Sequence, residues 1–401
     1  MQASKCSYFS GLIQAVRKNI LSIFRPLYRS ARHIIRFILW VFPLLDNLLV
    51  PREGGGSRIL AVYDTSSQPF SIGDLLIFQE ASLVLCQRHQ AEIVDFAIVY
   101  DPEHPDSSDP VFVGTITEEN VLYHLASILP LAQVNQRLGS VFIFNSHKHL
   151  QHYINDNVDR YHIWPSGWKM ATREYLSPVV FNDLLYRCYK QEGSIPYLTC
   201  RPFLNNWAEE FYLLHASSLV PVTVNLRCNK GWHLHRNSKI DSWINFFQYC
   251  ETIYPVKFIV ICTRSEIDDR LRQCANVIIA KDHHTGVEQD MALIHSSAIH
   301  MGAGSGPATM AWFNSKPYLM VNTTYKAGEF FEQPGMIHQV EDGIQRFWFA
   351  GPFQSVANGP ESTELLIREF EKMWQVVDVK SWQVKTRIGD GQMSGVNTWL
   401  R

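Results

Sequence analysis

Two sets of short apolar runs, each run followed by a stretch with helical spacing, constrain this chain more than any other feature of its sequence. In the first set RILAVY (58–63), AEIVDFAIVY (91–100) and SVFIFN (140–145) read as strands. In the second, VPVTVNL (220–226), VKFIVIC (256–262), NVIIA (276–280), SAIHM (297–301) and PYLMVN (317–322) do so. Helices are expected in the stretch 71–89 and over 117–137, then around 201–219 and near 239–252, 264–273, 287–295 and 306–314. Strands that alternate with helices form a parallel sheet with crossover connections. The expected fold is therefore α/β: two Rossmann-like, doubly wound domains facing a cleft, joined near residues 200–215. Ligands of such sheets bind beyond the carboxyl ends of the strands. Residues 147–205, rich in aromatics and prolines, read as less regular.

The boundaries follow from composition. Residues 1–51 form a basic segment, 52–57 (REGGGS) a flexible linker, 58–205 the first domain, 206–375 the second and 376–401 a tail. The chain is 46% hydrophobic and 18% charged, with a net charge of -2, so it carries no nucleic-acid signature. The eight cysteines include no C-x-x-C pair, which suits reduced thiols and no structural zinc.

Charge is concentrated at the amino terminus. No acid precedes Asp46, whereas Arg25, Arg29, Arg32 and Arg36 share one helical face. The unbroken apolar run Phe37–Leu45 has nine residues, short of the roughly 20 that span a bilayer. Residues 10–50 are therefore expected to lie as preceding amphipathic helices on an anionic membrane surface, at its cytoplasmic face. A helical hairpin packed on the body, with solvated arginines, is the alternative.

Four loops end at the expected cleft. The first, TSSQPFSIGDLL (65–76), starts a helix at Gly73-Asp74, where Asp74 either caps the helix or faces the cleft. The second, LRCNKGWHLHRNSKI (226–240), gathers Arg227, Lys230 and Arg236 with His233 and His235 at a strand end. Guanidinium forks match phosphate oxygens. Asn237 and Ser238 could cap the next helix. The third, KDHHTGVEQDMAL (281–293), places Glu288 and Asp290 at a helix start, as caps or as partners of ribose hydroxyls. Its adjacent His283 and His284 do not form a metal site without further ligands. The fourth, IHMGAGSGPATMAW (299–312), turns an apolar strand into a helix through Gly302, Gly304, Ser305 and Gly306, with Pro307 suited to a first helical position. Its N–H groups, hydroxyl and helix dipole suit a pyrophosphate.

Taken together, these stretches resemble glycosyltransferases of the two-Rossmann-domain (GT-B) type. RILAVYD with SIGDLL resembles the first strand and Gly-Asp loop of bacterial heptosyltransferases. VTVNLR followed by RNSKIDSWINFF resembles a group of glycosyltransferases from bacterial surface-polysaccharide clusters, and its strand-end Arg is similar to that of NodZ-type fucosyltransferases. HMGAGSGPATMAWFNSKPYLMVN resembles the late motif these groups share. The resemblance spans roughly residues 58–325 and departs at two places. The strand-end histidine of the related pattern is Asn225, and the heptosyltransferase Asp-Thr-Gly triplet is replaced by Ala303-Gly304-Ser305-Gly306.

The resemblance and the residues imply one reaction. A nucleotide-diphosphate sugar, the co-substrate, would sit on the second domain, with Arg227, Lys230, Arg236, Asn237, Glu288 and the Gly302–Gly306 turn as donor-binding groups. No metal or other cofactor is implied. Asp74 is the expected base toward a glycan or lipid-linked acceptor, giving inversion, with His233 or His235 in reserve. A sugar-nucleotide epimerase of the same fold and a non-catalytic sugar-nucleotide-binding subunit remain as alternatives.

Overall fold

The structure is a computed structural model. Its described residues lie between 58 and 377, apart from 66–67, 69, 101, 103–115, 166–177, 231–233, 323–336, 340–344 and 358–359. The chain divides into two compact units, residues 1–54 and 55–401, and all described residues belong to the second. The expected amino-terminal helices, the expected linker and the residues beyond Val377 lie outside the described residues.

A four-stranded parallel sheet comes first, in the order β3-β2-β1-β4. Its strands are β1 (Arg58–Asp64), β2 (Ile93–Val99), β3 (Leu138–Phe144) and β4 (Tyr161–Trp164). Helix α1 (Ile72–His89) packs on one face, over Ile59, Ala61 and Phe96, while α3 (His147–Asp156) covers the other through Leu150 and Ile154 on Leu60 and Val62. One buried carboxylate ties all four strands. Asp95 accepts two bonds from Arg58 (2.8 and 2.6 Å), one from the Ser140 N–H (2.7 Å) and one from the Tyr161 hydroxyl (2.9 Å). Gly139 belongs to this knot, because a Cβ there would fall 2.4 Å from Asp95 Oδ1.

The second sheet has eight strands in the order β10-β11-β12-β9-β8-β5-β6-β7. Its parallel part is β5 (Val220–Asn225), β6 (Val256–Ile261), β7 (Val277–Ile279), β8 (Ile299–Ala303) and β9 (Tyr318–Val321). The strands β10 (Ile337–Gln339), β11 (Gln345–Phe347) and β12 (Gln354–Val356) extend it; β10, β11 and β12 pair antiparallel, and β12 runs parallel to β9. Helices α6 (Ile240–Ile253) and α9 (Thr363–Trp374) bury Trp243, Phe246, Phe247 and Phe370 on one face. Helices α7 (Val287–Ser296) and α8 (Ala308–Trp312) pack into the other core, which is continuous with that of the first sheet. Helix α5 (Pro202–His215) leads from the first sheet to the second. A buried carboxylate fastens α6: Glu361 accepts the Lys239 N–H and the Trp243 indole N–H, each at 2.5 Å, just ahead of α9.

The two Rossmann-like α/β halves match the expectation, with four local corrections. The helix expected over 117–137 is α2 (Val121–Ile128) followed by a 3-10 turn over Leu129–Val134, because Pro130 cannot continue an α-helical hydrogen-bond ladder. Residues 264–273 form two 3-10 turns, Arg264–Glu266, where the Glu266 carboxylate accepts the Thr263 N–H, and Asp269–Gln273, where Asp268 accepts the Arg270 N–H. Strand β8 runs past His300 to Ala303, and α8 is shorter than expected. The described residues of 147–205 hold α3, β4, α4 (Pro178–Glu192) and the start of α5. Histidines 147, 149 and 152 and few apolar residues hid α3 from pattern reading.

Glu80, on α1, is fully buried, and neither carboxyl oxygen has a hydrogen-bond partner among the described residues. Burial therefore raises its pKa well above the usual carboxylate range. A folded-state pKa above the unfolded one favours folding at low pH, and that stability is lost as pH rises through the interval between the two. Glu80→Gln keeps the shape without the charge. The variant should match wild type in thermal unfolding near pH 4 and exceed it increasingly toward pH 8. The gap should widen by at most about 1.4 kcal/mol per pH unit. A pH-independent difference would show that Glu80 does not titrate across this range.

Candidate functional site

Parallel sheets present ligands at the point where the strand order reverses, since neighbouring loops there diverge to opposite faces. In the second sheet that point lies between β5 and β8. From β5 the chain winds outward through β6 and β7, then returns through α7 to β8 on the other side. The residues that end these two strands are Asn225 and Gly302–Ala303, paired in register.

Gly302 makes the junction possible. Its φ is +149°, a conformation that favours glycine, and a Cβ there would fall 2.3 Å from the Asn225 carbonyl oxygen. Beyond it, Asn225 Nδ2 donates to Ser305 Oγ at 2.7 Å, so the glycine turn is fastened to β5. Arg236 donates to the Gly304 carbonyl, which joins the 226–238 loop to the same turn.

That loop is organised by Asn237. Its Oδ1 accepts from Arg227 Nη1 (3.1 Å) and the Asn229 N–H (3.0 Å), and its Nδ2 donates to the Asn229 carbonyl (2.7 Å). Asn322, after β9, donates to the Asn237 carbonyl at 2.7 Å. Ser238 Oγ accepts the Arg227 N–H at 3.1 Å, and the Ser238 N–H returns to the Arg227 carbonyl at 2.7 Å. Neither residue caps α6. The α6 cap is Lys239, which makes no side-chain cap bond and whose N–H is held by Glu361. Asn237 and Ser238 instead hold Arg227, whose side chain is thereby aimed from the end of β5 while the residue is only 7% exposed.

The structure thus brings Arg227, Arg236, Asn237, Gly302, Gly304, Ser305 and Gly306 together. Lys230 is exposed. His233 lies outside the described residues, and His235 falls in the 3-10 turn Leu234–Arg236. Glu288 is held apart, its carboxylate lying over Gly286 at the start of α7. Asp290 is committed elsewhere: it accepts from Thr285 Oγ1 (2.5 Å) and pairs with Lys281 Nζ (2.6 Å), and burial raises its pKa against the opposing pull of Lys281. The α7 start is closed by Gln289, whose side chain accepts the Gly286 N–H at 2.7 Å. His283 and His284 diverge. His283 packs its ring on His215 with centroids 4.1 Å apart, and His284 Nδ1 meets Arg264 Nη2 at 3.2 Å. His300 is wholly buried beside Thr223 Oγ1 (3.0 Å), and burial pushes its pKa down to about 3, so it is a neutral core group. Helix α8 has five residues, so the turn's own groups, more than a helix dipole, define this side of the site.

Asp74 enters from the first sheet. The amino end of α1 lies directly on the glycine turn: a Cβ at Gly73 would meet Gly306 Cα at 3.4 Å, and one at Gly306 would meet Ile72 Cβ at 2.9 Å and the Gly73 nitrogen at 3.1 Å. Asp74 is not the cap of α1. Ser71 caps it, accepting the Asp74 N–H at 3.5 Å, and Asp74 occupies the third helical position, half-buried.

Pattern reading missed two features. Asn225 was legible as a polar residue ending an apolar strand, but its partner Ser305 is 80 residues away. The other lies at the first sheet's own reversal point, between β1 and β4, where the nearly buried Asp64 ends β1 and meets His147 Nε2 at 2.6 Å. It went unseen because α3 did.

No family model matches the sequence, and no curated protein does. Among solved structures the chain is similar to the E. coli heptosyltransferase WaaC with ADP-2-deoxy-2-fluoro heptose, at 10% identity and a TM-score of 0.43 over 79% of this chain and 99% of that one. It is also similar to a glycosyl transferase family 9 protein from Veillonella parvula, at 9% identity and 0.45 over 80% and 89%. A third is the fucosyltransferase NodZ from Bradyrhizobium, at 13% identity and 0.29 over 65% and 94%.

The Gly306 contact leaves no room for a methyl group. Gly306→Ala should cost about 1–3 kcal/mol by overpacking, read as a lower unfolding midpoint in urea. Ala at the exposed Lys230 should leave the midpoint unchanged.

Proposed function

We propose that this protein transfers a glycosyl group from a nucleotide-diphosphate sugar to a hydroxyl of a glycan or lipid-linked acceptor. The observation that carries this reading is the convergence, at the reversal point of the second sheet, of Arg227, Arg236 and the Gly302–Gly306 turn, with the Asp74 end of α1 seated on that turn. Two guanidinium groups and a hydroxyl at such a place suit a diphosphate.

The step follows from these positions. The acceptor hydroxyl gives its proton to Asp74, and its oxygen attacks the anomeric carbon from the face opposite the leaving group. The bond from that carbon to the diphosphate oxygen breaks, and its electron pair goes to the diphosphate. Arg227 and Arg236 stabilise the charge that develops there, and Ser305 donates to it. The anomeric configuration inverts. In this reading the side chains of the chain itself carry the leaving-group charge, without a metal. The basic segment within residues 10–50 holds the enzyme at the cytoplasmic face of an anionic membrane, where a lipid-linked acceptor of surface-polysaccharide synthesis would be met.

The test starts with thermal unfolding against a panel of nucleotide sugars, since a ligand that binds only the folded state raises the midpoint. With the donor found, Arg227→Ala and Arg236→Ala should each weaken its binding by about 1.5–3 kcal/mol. Asp74→Asn should fold and bind donor normally while turnover falls by roughly 10²–10⁴-fold. Near-wild-type turnover in that variant would remove Asp74 as the base. Nucleotide release that rises with acceptor supports transfer; interconversion of the donor sugar without release would replace it with epimerisation.

A further inference from the structure

The bond between Asn225 and Ser305 has a direction, and the direction matters for an anion. Asn225 is 1% exposed, at the last position of β5. Its Nδ2 donates to Ser305 Oγ at 2.7 Å, so a lone pair of that hydroxyl is occupied by an N–H. A hydroxyl that accepts from an amide cannot direct its own proton back along the same line. The Ser305 proton must point away from β5, toward the outside of the turn. Ser305 itself is half-buried, at a position where a ligand oxygen can reach it. The amide sits close over Gly302, where a Cβ would be 2.7 Å from Oδ1, so a side chain at 302 would displace it. These are also places where the sequence leaves the motifs it resembles: Asn225 stands for a strand-end histidine, and Ser305 lies in the run that replaces an Asp-Thr-Gly triplet. The two departures meet in space.

We propose that Asn225 is a positioning residue that sets Ser305 as a hydrogen-bond donor to the diphosphate of the donor nucleotide. This rests on the glycosyl-transfer reading and assigns that site a group it did not include. Asn225 does not touch the ligand; it acts through the hydroxyl. Without its amide, the Ser305 proton is free to turn toward other acceptors, and the diphosphate loses an oriented donor.

The test measures binding of ADP, GDP and UDP, and of adenosine, guanosine and uridine, to wild type, Ser305→Ala, Ser305→Thr, Asn225→Ala and the double Ala variant. Ser305→Ala should lose about tenfold in affinity for the preferred diphosphate, the lower range for one hydrogen bond to a charged group. Ser305→Thr, which keeps the hydroxyl, should retain it. Asn225→Ala should lose about as much as Ser305→Ala, and the double variant less than twofold more. Nucleoside affinities should not move, whereas a general disturbance of the site would lower them as well. Equal losses from Asn225→Ala in both backgrounds, or an undiminished affinity in Ser305→Ala, would overturn the proposal. Should Asn225→Ala not fold, the Ser305 pair of variants still decides whether the oriented hydroxyl is used. If wild type binds none of the diphosphates, the donor reading itself falls, and this outcome is distinct from loss of the Asn225–Ser305 coupling.

Discussion

The contact between the amino end of α1 and the glycine turn after β8 is the constraint on which the rest depends. Each sheet has its own reversal point, and each could hold a ligand alone. The approach of Gly306 to Ile72 and Gly73 brings the first sheet's helix end onto the second sheet's loop. Gly306 must run without a side chain there, because a Cβ would fall 2.9 Å from Ile72 Cβ, and Gly73 faces it with little room to spare. Asp74 follows directly on one strand of this contact and Ser305 directly precedes the other. The transfer proposed above uses that proximity, because Asp74 and Ser305 come from different halves of the molecule.

Around this contact the polar groups form a chain of neutral amides. Asn225 holds Ser305, Asn322 holds Asn237, and Asn237 holds both Arg227 and the Asn229 backbone. Asparagine suits the task because one side chain supplies both donors and acceptors. Among the described residues here, the charged side chains are Arg227, Arg236 and the exposed Lys230, with Asp74 at the end of α1. The buried acids of this region are used for structure at some distance: Asp290 with Lys281, Glu361 with Lys239 and Trp243, and Asp95 with Arg58.

Much of the fold was legible because buried parallel strands read as continuous apolar runs, and β1, β5, β6 and β9 are such runs. The glycine turn was legible because glycines between a strand and a helix mark close backbone approach, and Gly302 and Gly306 do lie at such contacts. What escaped depended on contacts distant in sequence. Asn237 and Ser238 look like caps until Arg227 is seen to fold back on them. Asp290 looks like a ribose ligand until Lys281 reaches it. Helix α3 carries only Leu150 and Ile154 as buried residues among several histidines, so its periodicity is faint, and with it went β4 and the Asp64–His147 pair. Proline 130 was a local signal that the apolar periodicity around it concealed.

The fastening of α6 by Glu361 bears on the order in which the protein is made. The loop carrying Arg227 and Arg236 runs straight into α6, whose first turn is held through Lys239 and Trp243 by a carboxylate 122 and 118 residues later. On the ribosome the first sheet emerges before the second, while its α1-side core also waits for Met291, Leu293 and Met310, which belong to the same cluster. The arginine loop waits. Until the segment around Glu361 leaves the exit tunnel, α6 lacks its anchor and the loop lacks a fixed end. From the emergence of α6 to that of Glu361, the nascent chain therefore carries Arg227 and Arg236 on a loop with one unfixed end.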